Sequence, residues 1–372
     1  MSKIITKLAG QSDYAVPPGE TLKELLEYYE MSQKDLSVRL GVSQKTISEI
    51  INGKTPISPA TALGLGDVFE PEPSYWLALE ANYQADLIRI AAQKQVRAEV
   101  VQFADYIETY NEMARLGWVP RTRNAEEKVI NLRKYCRVSS LEYIPDLPSA
   151  ANFRKGNIGK QSLFALTAWM QRGEDIAAKI ETKPFSSQRL KDVVPKLRQV
   201  TFQGKDIGRE IRDLCASAGV AITFAPHLKG THVNGATRWL TPEKANIHLS
   251  LLGAYADIFW FTLFHEIGHI LLGHSKKTSS VSCYNGSAPV VVIGSREDED
   301  AADKFANDTL IPEKKYVDFI RHTARFNDGA VDKFAKSVGI YSGIVWGRLA
   351  HEGKINWTQA NANGRRIKLQ FA

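Results

Sequence analysis

The chain has 372 residues, 44% hydrophobic and 24% charged, with a net charge of +7. That length exceeds one small core and predicts several domains, and the composition excludes a disordered or low-complexity chain. Cys136, Cys215 and Cys283 are odd in number and lack a C-x-x-C spacing, which excludes a disulfide framework and a cysteine-based zinc site and points to a reducing, cytoplasmic setting.

The N-terminus lacks the apolar run of a secretory signal. Residues 1–85 carry 7 basic and 11 acidic side chains, residues 86–235 carry 24 and 16, and residues 236–372 carry 17 and 14. The positive excess therefore lies in the middle, and DNA binding at the N-terminus has to be argued from pattern.

Between Met31 and Lys54, two short helical patterns meet at Gly41, each opened by a serine. Ser32 and Ser43 have the character of N-caps, with Asp35 at capping-box distance from Ser32. Leu36, Leu40, Val42, Ile47 and Ile50 are spaced to pack two crossed helices against a third, leaving Gln44, Lys45, Ser48 and Glu49 outside. In a major groove, Gln44 and Lys45 would reach base edges, while Gln33, Ser43, Asn52 and Lys54 would sit near phosphates and Ser48 would face outward with them. The competing reading is an ordinary three-helix packing unit with polar outer faces.

This segment resembles the Xre-family helix-turn-helix, specifically the HigA-like antitoxin subgroup. The likeness rests on Pro18–Leu22, the Ser32–Lys54 run, Ile57–Ala62 and Tyr75–Tyr83. It implies a homodimer bound to an inverted-repeat operator in double-stranded DNA. Ser37 departs from the alanine usual there, and the segment's acidic balance departs from a strongly phosphate-driven binder.

Residues 86–215 read as a helical, basic linker or dimerisation region, with Trp169 on the core face of an amphipathic helix. Three short β-rich runs follow, Val220–Pro226, Gly235–Leu240 and Ala245–Ser250, and predict a small sheet. The apolar stretch from Leu249 to Gly273 carries Asp257, His265, Glu266 and His269, so it reads as a buried helix and not a membrane span.

Within that stretch, His265-Glu266-x-x-His269 places two histidines four residues apart, about 400° around a helix, where they can share one ion. Glu266 lies beside that face as the general base for water activated by Zn2+. The competing reading is two satisfied histidines on a core helix. A third ligand is needed, and Glu299, thirty residues after His269, supplies it. Asp303 is one turn further on and able to accept the outer N–H of a ligand histidine. Glu297, Asp298 and Asp300 read as a solvated acidic helix start. His274, five residues after His269, is the rival third ligand, but it would point about 140° away on a continuing helix, which favours a surface or capping role.

From Val220 to Pro312 the chain looks like the ImmA/IrrE metallopeptidases, through the His265–His269 motif and Glu299, Ala302, Asp303, Phe305, Ala306, Leu310, Ile311 and Pro312. Ala301 stands where a second glutamate is common. The resemblance implies a peptidase that cuts or antagonises helix-turn-helix repressors. Arg238, on a predicted strand near the site, is either a substrate-binding residue or a partner for an acidic surface, and His227, His232 and His248 read as surface or strand residues.

The fold class expected is mainly α with a small α+β domain: a five-helix helix-turn-helix module (1–85), a helical middle (86–215), a zincin-like domain (216–325) and a helical tail (326–372). The function expected is a DNA-binding regulator or antitoxin-like protein with a zinc endopeptidase domain acting on a regulatory protein. The alternative is a non-enzymatic antitoxin or repressor, partnered with a cognate toxin, whose metal domain senses or scaffolds.

Overall fold

The computed structural model describes residues 14–147, 160–202, 207–231, 233–250, 255–274, 280–285, 288–292 and 295–369. The contact pattern divides the chain into two compact units, one ending at Val101 and one beginning at Gln102.

The first unit holds five helices, α1 (Pro18–Tyr28), α2 (Gln33–Leu40), α3 (Gln44–Ile51), α4 (Pro59–Val68) and α5 (Pro73–Gln102). The expected caps form. The Ser32 Oγ accepts from the Asp35 amide at 3.1 Å while the Asp35 carboxylate accepts from the Ser32 amide at 3.3 Å, which satisfies two donors that α2 leaves open. Those Ser32 hydrogen bonds hold the Asp35 carboxyl below its ordinary value. Gly41 ends α2, and the Ser43 Oγ accepts from the Thr46 amide at 3.0 Å to open α3. Leu22, Leu36, Ile47, Ile50, Leu65 and Trp76 close a common core, while Leu40 and Val42 lie half-buried at its edge. Each fully buried large apolar side chain here contributes about 1.5–3 kcal/mol.

The second unit begins with helices α6 (Ile107–Arg115), α7 (Ala125–Cys136), α8 (Lys160–Ala177), α9 (Ser187–Val200) and α10 (Ile207–Ala216). Strands β1 (Val220–Ala225), β2 (Val233–Thr241) and β3 (Lys244–Ser250) follow, then α11 (Ala256–Leu272), the hairpin β4 (Ser280–Asn285) and β5 (Ala288–Val292), and α12 (Arg296–Leu310). Helices α13 (Glu313–His322), α14 (Asp328–Val338), α15 (Ser342–His351) and α16 (Trp357–Asn361) complete it. The strand order is β1-β3-β2-β4-β5, with β1 parallel to β3 and every other pair antiparallel. The sheet thus has two more strands than the three expected. Among the described residues no helix is long and apolar enough to cross a membrane.

The expected boundaries fall at 85/86 and 215/216. Helix α5 runs without a break from Pro73 to Gln102. Leu190, Leu197, Val200, Ile211 and Cys215 share a core with Ile222, Ile247, Phe259 and Trp260, so α9 and α10 are part of the unit that carries the sheet. The C-terminal segment enters the same core through Ile344, Trp346 and Leu349. Its Arg366 forms a buried ion pair with Asp257 in the first turn of α11, at 2.8–3.0 Å.

Alternation along β3 sorts its side chains. Ala245, Ile247 and Leu249 join the core with α11, while His248 lies against Trp169 of α8, ring centroids 3.9 Å apart. Trp169 is fully buried, as its position on the helical pattern predicts. The Thr223 Oγ1 and His248 Nδ1 are 2.7 Å apart. Burial pushes His248 down to about 3. Between pH 6.5 and 3 the unfolded chain binds a proton that the folded ring refuses, so this group costs stability as pH falls and costs nothing above 6.5. The slope is about 1.4 kcal/mol per pH unit at most. His248→Phe keeps a ring against Trp169 and removes the titration. Its loss of stability between pH 7.5 and 4.5, measured by urea unfolding, is expected to be smaller than that of the natural chain, and equal losses would contradict the assignment.

Candidate metal centre and candidate nucleic-acid interface

Helix α11 is apolar nearly all round, which buries it between the sheet and α12, and it carries its histidines inward. The i, i+4 spacing turns both rings to one side, with His265 Nε2 and His269 Nε2 2.9 Å apart. Helix α12 begins at Ser295, whose hydroxyl accepts from the Asp298 amide at 3.1 Å, and this sets Glu299 in the first turn facing α11. Glu299 Oε2 lies 3.3 Å from His265 Nε2, and Oε1 lies 3.4 Å from His269 Nε2. Asp303, one turn on, accepts from His265 Nδ1 at 2.8 Å.

His265, His269 and Glu299 each offer a ligand atom within 4.8 Å of the others, and all three residues are buried. Separations of 2.9–3.4 Å are close to the edge of roughly 3.3 Å that bonds of about 2.0–2.1 Å make in a tetrahedral zinc site. Glu299 Oε1 is buried and accepts no hydrogen bond among the described residues, a cost that a cation would remove. Burial disfavours a charged His265, but the hydrogen bonds to Asp303 and Glu299 outweigh it and push the ring up to about 10. Burial likewise opposes ionisation of Glu299, and the two histidines overcome it and hold the carboxyl down to about 2. Both shifts favour a positive charge beside the Glu299 carboxylate, and the residues present fit a divalent metal.

Glu266 is fully buried, and its Oε2 accepts from Thr237 Oγ1 of β2 at 2.7 Å. Gly235, two residues before, lets that strand approach, since a Cβ there would stand 2.6 Å from Thr262 Cγ2 and 3.2 Å from the Glu266 carboxylate. Arg238 is paired with Glu174 of α8, so the structure places it on the acidic-partner side of the two readings. His248 is in the core, and His227 Nδ1 lies 3.2 Å from Ser250 Oγ; neither is among the residues at the metal cluster. His232 is outside the described residues.

His274 is not where a continuing helix would put it. Gly273 ends α11 at φ +82°, a left-handed turn that favours glycine, and the chain folds back. His274 Nδ1 then comes within 3.2 Å of His269 Nδ1, and its Nε2 within 3.3 Å of Asp298. Glycine after a helical histidine run was the sequence signal for this reversal.

In the first unit, Ser43, Gln44 and Lys45 lie at the exposed start of α3, Asn52 and Lys54 are exposed at its end, and Gln33 and Ser48 are half-buried. Lys45 Nζ is 3.8 Å from Glu49, and the Asn52 side chain donates to the Ser48 carbonyl at 2.7 Å. Ser37 is buried, with its hydroxyl satisfied by the Lys34 carbonyl at 2.7 Å, so its departure from alanine leaves no open donor.

The paired, serine-capped α2 and α3 over a shared core define a helix-turn-helix domain, and residues 22–76 match the protein-family model described as Helix-turn-helix. A curated relative is virulence-associated protein A' of Dichelobacter nodosus, 36% identical over 77 residues. That match takes in 20% of this chain and 65% of the relative's length. Similar solved structures include an addiction module antidote protein of a HigA family from Coxiella burnetii, 30% identical, covering 23% of this chain and 94% of that one at a TM-score of 0.21. The Pseudomonas aeruginosa antitoxin HigA, solved with the higBA promoter, is 30% identical over 23% of this chain and 95% of its own, at a TM-score of 0.22.

Proposed function

We propose that this chain is a DNA-binding, antitoxin-like transcriptional regulator whose second unit is a zinc-dependent endopeptidase acting on a regulatory protein. The observation that carries the enzymatic half is the convergence of His265, His269 and Glu299 on one buried point, with Glu266 on the same helix. His265 Nε2, His269 Nε2 and a Glu299 oxygen would hold the ion. A zinc ion there supplies the Lewis acidity that makes water a nucleophile near neutral pH. Glu266 takes the proton from the attacking water at a carboxylate oxygen and delivers it to the leaving amine, and Thr237 fixes the rotation of that carboxylate. Asp303 keeps the His265 Nδ1 proton outside, so that the Nε2 lone pair points inward.

The DNA-binding half is supported by the family match over residues 22–76 and by the exposed start of α3. A homodimer on an inverted repeat is part of this reading. Gln44→Ala and Lys45→Ala are expected to relax base preference in a selection from random duplexes, at about 1–3 kcal/mol of discrimination per lost bidentate contact. Unchanged preference would remove the recognition-helix assignment. The metal half is tested by zinc content: about one ion per chain for the natural protein and none for His265→Ala, and a natural protein purified with no zinc affinity would overturn it.

One observation favours a second reading. His265 and His269 are 1% exposed and Glu266 is 0% exposed, so the two histidines and the glutamate have almost no contact with solvent. A centre closed in that way suits a regulator whose metal unit senses or scaffolds, with a toxin as partner instead of a substrate.

A further inference from the structure

We propose that His274, backed by Asp298, is a positioning residue for the metal centre, fixing the ring of His269 with its Nε2 lone pair toward the ion. This rests on the metal reading above.

The proton positions follow from four nitrogens and one carboxylate. Asp298 Oδ1 lies 3.3 Å from His274 Nε2, and a carboxylate can only be met there by the N–H side of the ring. A neutral His274 then has a lone pair on Nδ1. The atom facing it at 3.2 Å is His269 Nδ1, and two imidazole nitrogens at that distance need one proton between them, which His269 must supply. With its Nδ1–H turned to His274, His269 presents its Nε2 inward, the atom 2.9 Å from His265 Nε2 and 3.4 Å from Glu299.

The two ligand histidines therefore hold the same tautomer by different means. Asp303 receives the Nδ1–H of His265 directly, whereas Asp298 acts on His269 through the imidazole of His274. Such outer partners fix the ring and raise its basicity, and losing one typically weakens metal binding by about 10–100-fold. His274 is not a fourth ligand in this arrangement, because its near nitrogen faces the outer nitrogen of His269 and it is absent from the set of converging donors. The left-handed turn at Gly273 is what returns it to the helix it has just left.

The experiment is zinc competition against a chromophoric chelator, on the full chain, for the natural protein and His265→Ala, His274→Ala, His274→Asn and Asp298→Ala. The expected result is a zinc dissociation constant raised about 10–100-fold by His274→Ala. Asp298→Ala should raise it less. Most of the affinity should return in His274→Asn, whose amide oxygen stands near the Nδ1 position and still accepts. A parallel nitrogen-15 spectrum of the zinc-loaded protein should show His269 protonated at Nδ1 in the natural chain and lose that hydrogen-bonded proton in His274→Ala. Equal zinc affinity in the natural chain and both His274 variants, with His265→Ala inactive for zinc, overturns this inference alone. Failure of the natural chain to take zinc overturns the metal reading and this inference with it. If His274→Ala does not fold, affinity in His274→Asn no better than in Asp298→Ala contradicts the acceptor role.

Discussion

Glu266→Gln is expected to bind zinc as the natural chain does and to lose peptide hydrolysis by roughly 10²–10⁴-fold, the usual contribution of a positioned acid–base group. The substitution is isosteric, and the amide oxygen still accepts from Thr237 Oγ1, so the packing of α11 against β2 and Gly235 is kept. What disappears is the acceptor for the proton of water. Because Glu266 is not among the three converging ligands, zinc content should not change. Hydrolysis at the natural rate by Glu266→Gln, at full zinc occupancy, would show that Glu266 is not the base.

Arg366→Ala is expected to destabilise the second unit by about 3–5 kcal/mol, because it leaves a buried carboxylate without its partner. Asp257 and Arg366 are 8% and 7% exposed, and the guanidinium meets the carboxylate through three contacts of 2.8–3.0 Å. Arg366 also lies over the rings of Tyr255 and Trp357, at 4.1 and 4.8 Å from their centroids, so packing is lost with the charge. Burial already raises the Asp257 carboxyl, and the Arg366 hydrogen bonds oppose that rise. Removing Arg366 therefore drives Asp257 toward its neutral form. Since Asp257 sits in the first turn of the helix that carries His265 and His269, the tail is tied to the metal helix at its origin. Urea unfolding checks the magnitude. Asp257→Asn combined with Arg366→Ala should recover a large part of the loss, and no recovery would mean that packing, not an orphaned charge, sets the cost.

The parts of the site legible in the sequence were those governed by helical periodicity. His265 and His269 share a face because four residues make a little over a turn, and Glu299 and Asp303 share one for the same reason. The capping box at Ser32 and the core positions Leu36, Ile47 and Ile50 were legible because they are local. Features that depend on tertiary placement were not. The Arg238–Glu174 pair joins residues 64 apart, and the Asp257–Arg366 pair joins residues 109 apart. His274 was misplaced because the helical projection was carried past Gly273, where the backbone turns left-handed. The β4–β5 hairpin was missed although Asn285-Gly286 between β-rich runs is a strong turn signal. The boundary at 215/216 was drawn where helices give way to strands, but a core does not follow that change, and α9 and α10 pack on the sheet that comes after them.

The most direct test of the central claim compares new protein N-termini, by mass spectrometry, in cells that carry the natural chain and cells that carry Glu266→Gln, under several stresses. Termini that arise only with the natural chain and map to a regulatory protein are expected. Identical sets of termini under every condition, with zinc bound in both proteins, would contradict that claim and leave the sensing or scaffolding role.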